Sequence, residues 1–174
     1  RLMSILKSKL GDDEVCRRII IFSQWMSMLK IIHTICRGNH LSSLILNGNY
    51  HMINSKLRRF KLSAEHRIIL LTAEKASSGI HLPEATDVIL VDTLHQDPMQ
   101  CLAMEEQAIG RAVRIGQTKR VVVTRLIMKG TIEEDFYNEY SQKIGCKQQL
   151  MHQLMRLIMN KTIVKHIMSF LLVS

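Results

Sequence analysis

The sequence predicts an α/β fold: a mostly parallel, doubly wound sheet flanked by helices, followed by a helical extension. Three observations lead there. Short β-branched runs that are apolar on both faces recur along the chain, stretches with apolar residues at helical spacing separate them, and the connections between the two are short. A strand covered by helices on both sides reads as a continuous apolar run rather than an alternation. The β-α-β-α order then favours parallel pairing, with ligands held beyond the carboxyl ends of the strands.

In chain order, the expected strands are RIIIF (18–22), SLILNG (43–48), RIILLT (67–72), DVILVD (87–92) and RVVVTRLI (120–127). The expected helices between them are QWMSMLKIIHTICR (24–37), HMINSKLRRFKLS (51–63) and MEEQAIGRAV (104–113). From residue 131 the strand signals stop. The segments 131–144 and 148–172 read as helices, the first with Thr131 as its N-cap and acids in its first turn. Met151, Met155 and Met159 recur every four residues in the second, a stripe that serves packing. The expected division is therefore an α/β domain at 1–130 and a helical extension at 131–174, with two prolines, eight glycines and no repeat or low-complexity linker in the chain.

Composition narrows the function. With 47% apolar and 22% charged residues, 174 residues make one globular domain rather than a disordered chain. A formal net charge of +9 and a pI near 9.7 point to a polyanionic partner, nucleic acid or nucleotide. Cys16, Cys36, Cys101 and Cys146 form no C-x-x-C pair, which argues against a disulfide framework or zinc knuckle and for a reducing compartment. The most lipid-like stretch, 163–173, is short and carries Lys165 and His166, so neither a membrane span nor a signal segment is expected and the protein reads as intracellular. His33, Cys36 and His40 share one helical face but have no fourth ligand, so no metal is expected.

Several groups of residues carry candidate chemistry. In EEQAIGRAVRIGQTKRVVVTRLI (105–127), Arg111 and Arg114 stand three apart, directly after Gly110 and close to Gln107. A guanidinium is a permanently charged planar fork able to meet two phosphate oxygens at once. In TAEKASSGIHL (72–82), the hydroxyls of Thr72, Ser77 and Ser78 suit close approach to a phosphate backbone; the alternative is an ordinary strand-to-helix loop with a serine cap. KLRRFK (56–61) offers Lys56, Arg58 and Arg59 to nucleic acid, against the simpler reading of a solvated face. Trp25, just after the first strand, is expected in the core or in packing between lobes rather than stacked on a base.

QAIGRAVRIGQTKRVVVTRLIMKGTIEE (107–134) resembles the last helicase motif and following strand of the Swi/Snf-type DNA-dependent ATPases, a chromatin-remodelling and DNA-translocating branch of helicase superfamily two. Q-x-x-G-R-x-x-R is shared with many superfamily-two helicases, whereas R-I-G-Q and T-I-E-E are particular to this branch. RIIIFSQWMSML resembles the motif that opens the family's second lobe, and IILLTAEKASSGIHLPEATDVILVD its fifth motif. Ala76 and Ser77 replace two usual glycines and leave Gly79, His81 replaces Asn, and residues 93–106 replace a short Trp-Asn-Pro connection. No G-x-x-x-x-G-K-[ST] loop or following acidic box occurs in these residues.

The resemblance implies a second, RecA-like lobe. It implies Arg114 as the arginine finger, Arg111 as its companion at the γ-phosphate, Gln107 orienting the cluster or the attacking water, and Gly79 and Gly110 shaping the nucleotide contact. ATP and Mg2+ would be bound mainly by a first RecA-like lobe, so these residues alone are expected not to turn ATP over. Duplex DNA would be the substrate, chromatin or other proteins further partners, and the nucleus the compartment in a eukaryote. Two other readings stay open: a lobe from another superfamily-two branch acting on RNA, and a non-catalytic DNA- or protein-binding module.

Overall fold

A computed structural model describes residues 1–11, 17–76, 79–92, 97–113 and 117–139. Five parallel strands, β1 (Ile19–Ser23), β2 (Ser43–Ile45), β3 (Ile68–Thr72), β4 (Asp87–Leu90) and β5 (Val122–Arg125), form one sheet in the order β2-β3-β1-β4-β5. This is the doubly wound arrangement expected. The central strands are buried along their whole length because successive side chains enter different cores. Ile20, Phe22, Ile69, Leu71, Val88 and Leu90 enter one; Ile19, Ile21, Ile68, Leu70 and Ile89 enter the other.

Helices cover both faces. On one, α1 (Leu2–Leu10) supplies Leu6 and Leu10, and α2 (Met26–Gly38) supplies Leu29, Ile32 and Cys36. On the other, α3 (Tyr50–Leu62) supplies Phe60, and α5 (Pro98–Ile109) supplies Cys101 and Ala108. A four-residue turn, α4 (Ala73–Ala76), follows β3 directly. Since α2 leaves β1 in one direction and α5 leaves β4 in the other, the winding reverses between β1 and β4, where sheets of this class open a crevice at the strands' carboxyl ends.

Several elements differ from expectation, β2 among them, which ends at Ile45 rather than at 48. Helix α1 was not foreseen. The helix expected at 104–113 begins at Pro98 and ends at Ile109, so much of the 93–106 replacement is helix rather than connection, and Gln107 lies in a last turn instead of a first. Asp97 and Pro98 are the reason: the Asp97 carboxylate accepts the Gln100 N–H at 2.9 Å, and proline at the first helical position gives up only an N–H that lacks an intrahelical partner there. Strand β5 is shorter than 120–127 and lies at the sheet's edge with Val122 exposed.

At Thr131 the expected cap is present. Its hydroxyl accepts the Glu133 N–H at 3.3 Å, while the Glu134 carboxylate reaches back to the Gly130 N–H at 2.7 Å, close to a capping box. Residues 132–139 are helical, and Phe136 packs against the α3–α5 core. The rest of the helical extension, from 140, including the methionine stripe, lies outside the described residues.

Candidate functional site

The site is built on the carboxyl edge of the sheet. Just beyond β4, Asp92 accepts the Ser23 hydroxyl at 2.5 Å and the Gln24 N–H at 2.9 Å, while Ser23 Oγ accepts the Trp25 N–H at 3.0 Å. One carboxylate thus spans the point where the winding reverses and fixes the β1–α2 turn. Burial pushes the Asp92 carboxyl above the ordinary carboxylate range; the Ser23 and Gln24 bonds pull it down, and the nearby Glu133 carboxylate adds a further push up. With a raised folded value, the favourable contribution is full below the unfolded value and is lost as pH rises through the folded one. Asp92→Asn keeps an acceptor for Gln24 N–H and removes that loss, so its denaturation midpoint, relative to wild type, should improve as pH rises across the carboxylate range. Parallel midpoint curves for the two proteins in urea would refute this.

After β3, the Thr72 hydroxyl is buried and accepts the Lys75 N–H at 3.4 Å, so it is engaged inside its own loop. Gly79 has φ +75°, a conformation that costs L-residues about 1–2 kcal/mol and explains why this one glycine of the fifth motif persists. The loop then meets the arginine segment: Leu82 N–H donates to the Arg111 carbonyl at 2.9 Å. Gln117, from the R-I-G-Q run, adds a second tie, its Nε2 donating to the Ala85 carbonyl at 2.7 Å and the Ala112 carbonyl at 3.4 Å. The two segments read separately in the sequence are joined on both sides of the arginines.

Within that join, Gly110 is the C-cap of α5, Gln107 is exposed on the last turn, and Ala108 and Ala112 are buried in the core. Arg111 is half-buried, and its Nε is enclosed with no acceptor among the described residues. Glu105, six residues back and buried, takes the Arg125 guanidinium on one oxygen, from Nε at 2.8 Å and Nη2 at 2.7 Å. That carboxylate serves Arg125 on β5. Arg114, Ser77 and Ser78 lie outside the described residues.

The α3 cations are divided among different partners. Lys56 Nζ donates to the Asn47 carbonyl and side-chain oxygen at 3.1 and 2.6 Å, Arg58 is exposed, Arg59 contacts His66, and Lys61 pairs with Glu84 at 3.4 Å. Trp25 is 60% exposed at the start of α2, which excludes it from this lobe's core. Among the described residues, no group of three His, Cys, Asp or Glu side chains is placed to hold a metal, and no helix is long and apolar enough to cross a membrane. His40 is exposed beyond the end of α2. Sequence reasoning gave no role to Asp92 or Gln117. The signal for Asp92 was the acid ending an apolar strand, and for Gln117 its place in R-I-G-Q.

The profile of the helicase conserved C-terminal domain matches residues 1–116. The chain belongs to the helicase C-terminal domain family. Its relatives put it in the Swi/Snf-type branch as a second RecA-like lobe. It is 33% identical over 139 residues to the mouse (Mus musculus) DNA excision repair protein ERCC-6-like, a match covering 78% of this chain and 11% of that protein. It is 32% identical over 146 residues to Protein CHROMATIN REMODELING 24 of Arabidopsis thaliana, covering 83% of this chain and 13% of the relative. The crystal structure of the C-terminal part of the Fun30 ATPase domain superposes with a TM-score of 0.69 at 27% identity, over 79% of this chain and 42% of that one. The chain thus spans roughly a tenth of the curated relatives' length.

Proposed function

We propose that this lobe works with a first RecA-like lobe as a DNA-translocating ATPase in repair or chromatin remodelling, supplying the arginines that complete the nucleotide site. The observation that carries the reading is the join at the carboxyl edge. The fifth-motif loop bonds to the Arg111 backbone, and Arg111 presents a buried Nε without an acceptor among the described residues, a donor suited to a phosphate oxygen from across a cleft. Arg111 and Arg114 would meet the γ-phosphate, and Gln107, exposed one turn before Arg111, would orient them or the attacking water. Gly79 and Gly110 would let backbone approach the nucleotide, and Ser77, Ser78, Arg58 and the loop after β3 would face the DNA backbone. ATP and Mg2+ would sit mainly on the first lobe, whose phosphate-cradling loop does not occur in these residues. A nuclear location fits relatives named for DNA repair and chromatin remodelling.

Binding to duplex DNA tests the nucleic-acid half. If the net charge of +9 tracks phosphates, affinity should be weak, insensitive to sequence, and fall linearly in log–log form with salt, by about 0.9 per phosphate contacted. Fluorescence anisotropy across a salt series reads this directly. Affinity unchanged between low and physiological salt would remove nucleic acid as the principal partner.

A further inference from the structure

A second basic site lies at the other end of the sheet from β5. Strand β2 is an edge, paired only with β3, and a cavity of about 500 Å³ opens beside it between α2 and α3. Three cations line it, Arg37 from α2 and Lys56 and Arg59 from α3, against a single carboxylate, Glu65, and burial lowers the Lys56 pKa. His33, His66, Ser42 and Ser43 add imidazole and hydroxyl groups. Glu65 does not neutralise the cations: its side chain is 75% exposed and its nearest partner is His66 Nδ1 at 3.7 Å.

We propose that this cavity is an oxyanion site that takes a phosphate group. Two guanidinium forks and an ammonium around one concave surface match a tetrahedral oxyanion better than a planar carboxylate, since several oxygens can be met from different directions. The imidazoles give the site a proton-dependent part. His33 Nδ1 lies 2.7 Å from Ser43 Oγ, and Ser43 also bonds the Cys36 thiol, so His33 has a fixed orientation. Burial lowers the His33 pKa first, and the charges of Arg37 and Lys56 lower it further, the expected state of an imidazole in a positive site without its anion. From α3, Arg59 also faces this space; ahead of β3, Glu65 and His66 do. The phosphate could be free or a phosphodiester of nucleic acid, and the site is independent of the nucleotide role proposed for Arg111.

The test uses the full chain and inorganic phosphate, with chloride at matched ionic strength as reference, and follows the His33 and His66 imidazole signals by NMR. The expected result is a saturable response and an upward shift of the His33 pKa when phosphate is bound. Arg37→Gln, an exposed position on α2, should weaken phosphate binding about tenfold, the loss of one charge-assisted bond of roughly 1.5 kcal/mol, without changing the unfolding midpoint. A linear, unsaturable response, or a His33 pKa unmoved by phosphate, would overturn the proposal, as would equal binding by Arg37→Gln. Duplex DNA then separates the sources. Displacement of phosphate by DNA in the wild type assigns the site to a nucleic-acid backbone, and retention of phosphate assigns it to a free anion.

Discussion

In an enzyme carrying this lobe beside its first lobe, Arg114→Ala should cut DNA-stimulated ATP turnover by about 10³–10⁵, roughly 4–7 kcal/mol of barrier, with nucleotide affinity little changed. Charge on the γ-phosphate oxygens grows during transfer. A fork delivered from the opposite lobe therefore acts mostly on the transition state, while the first lobe supplies most of the ground-state binding. Leu82 N–H donates to the Arg111 carbonyl and Gln117 Nε2 to the Ala112 carbonyl, which ties the chain just after α5 to its neighbours. Turnover and nucleotide Kd, measured together, check the prediction, because a misfolded site would lose both.

Asp87→Ala should destabilise the lobe by about 3–5 kcal/mol, the range for breaking a buried ion pair by removing one partner. Asp87 begins β4 and is wholly buried; it takes the Lys9 ammonium at 2.5 Å, the Arg17 guanidinium at 3.5 Å and the Thr86 hydroxyl at 2.8 Å. Alanine leaves Lys9, Arg17 and Thr86 around a carboxyl-sized gap at the amino edge of the sheet and releases α1 from β4. Lys9→Met should cost less, because Asp87 keeps Arg17 and Thr86 and the Lys9 side chain is already 18% exposed. Urea midpoints of the two variants settle the order. Equal losses, or an Asp87→Ala midpoint near wild type, would show that this cluster does not hold the sheet.

Strands β1, β3 and β4 were legible because burial on both faces leaves a run of Ile, Leu and Val that no exposed element tolerates. The edge strands were placed but drawn too long: β2 and β5, each paired on one side, end at Ile45 and Arg125. Helix α5 was misplaced for a different reason. Attention to G-R-A-V-R favoured a helix starting near the arginines, whereas Asp97 and Pro98 mark its start by local backbone chemistry. The arginine pair is read from the sequence by residue type and spacing alone, and Arg114 lies outside the described residues. Asp92 and Gln117 act through contacts across 68 and 32 positions, and no local pattern reports such partners. The residues of the cavity beside β2 are divided in the sequence among α2, α3 and two loops, and no local pattern brings them together.

Arg125 supplies the comparison that isolates the arginine motif. Its guanidinium is held by the buried Glu105 carboxylate, so Arg125→Ala should cost stability while the folded fraction keeps its chemistry. Arg114→Lys keeps charge but loses the planar pair of donors, and should stay nearer to Arg114→Ala than to wild type. The most direct measurement is DNA-stimulated kcat, per folded enzyme, for wild type, Arg114→Ala, Arg114→Lys and Arg125→Ala side by side, with nucleotide Kd for each. The account predicts kcat near wild type for Arg125→Ala, orders of magnitude lower for both Arg114 variants, and similar Kd throughout; near-normal kcat for Arg114→Ala, or an equally inactive but folded Arg125→Ala, would contradict it.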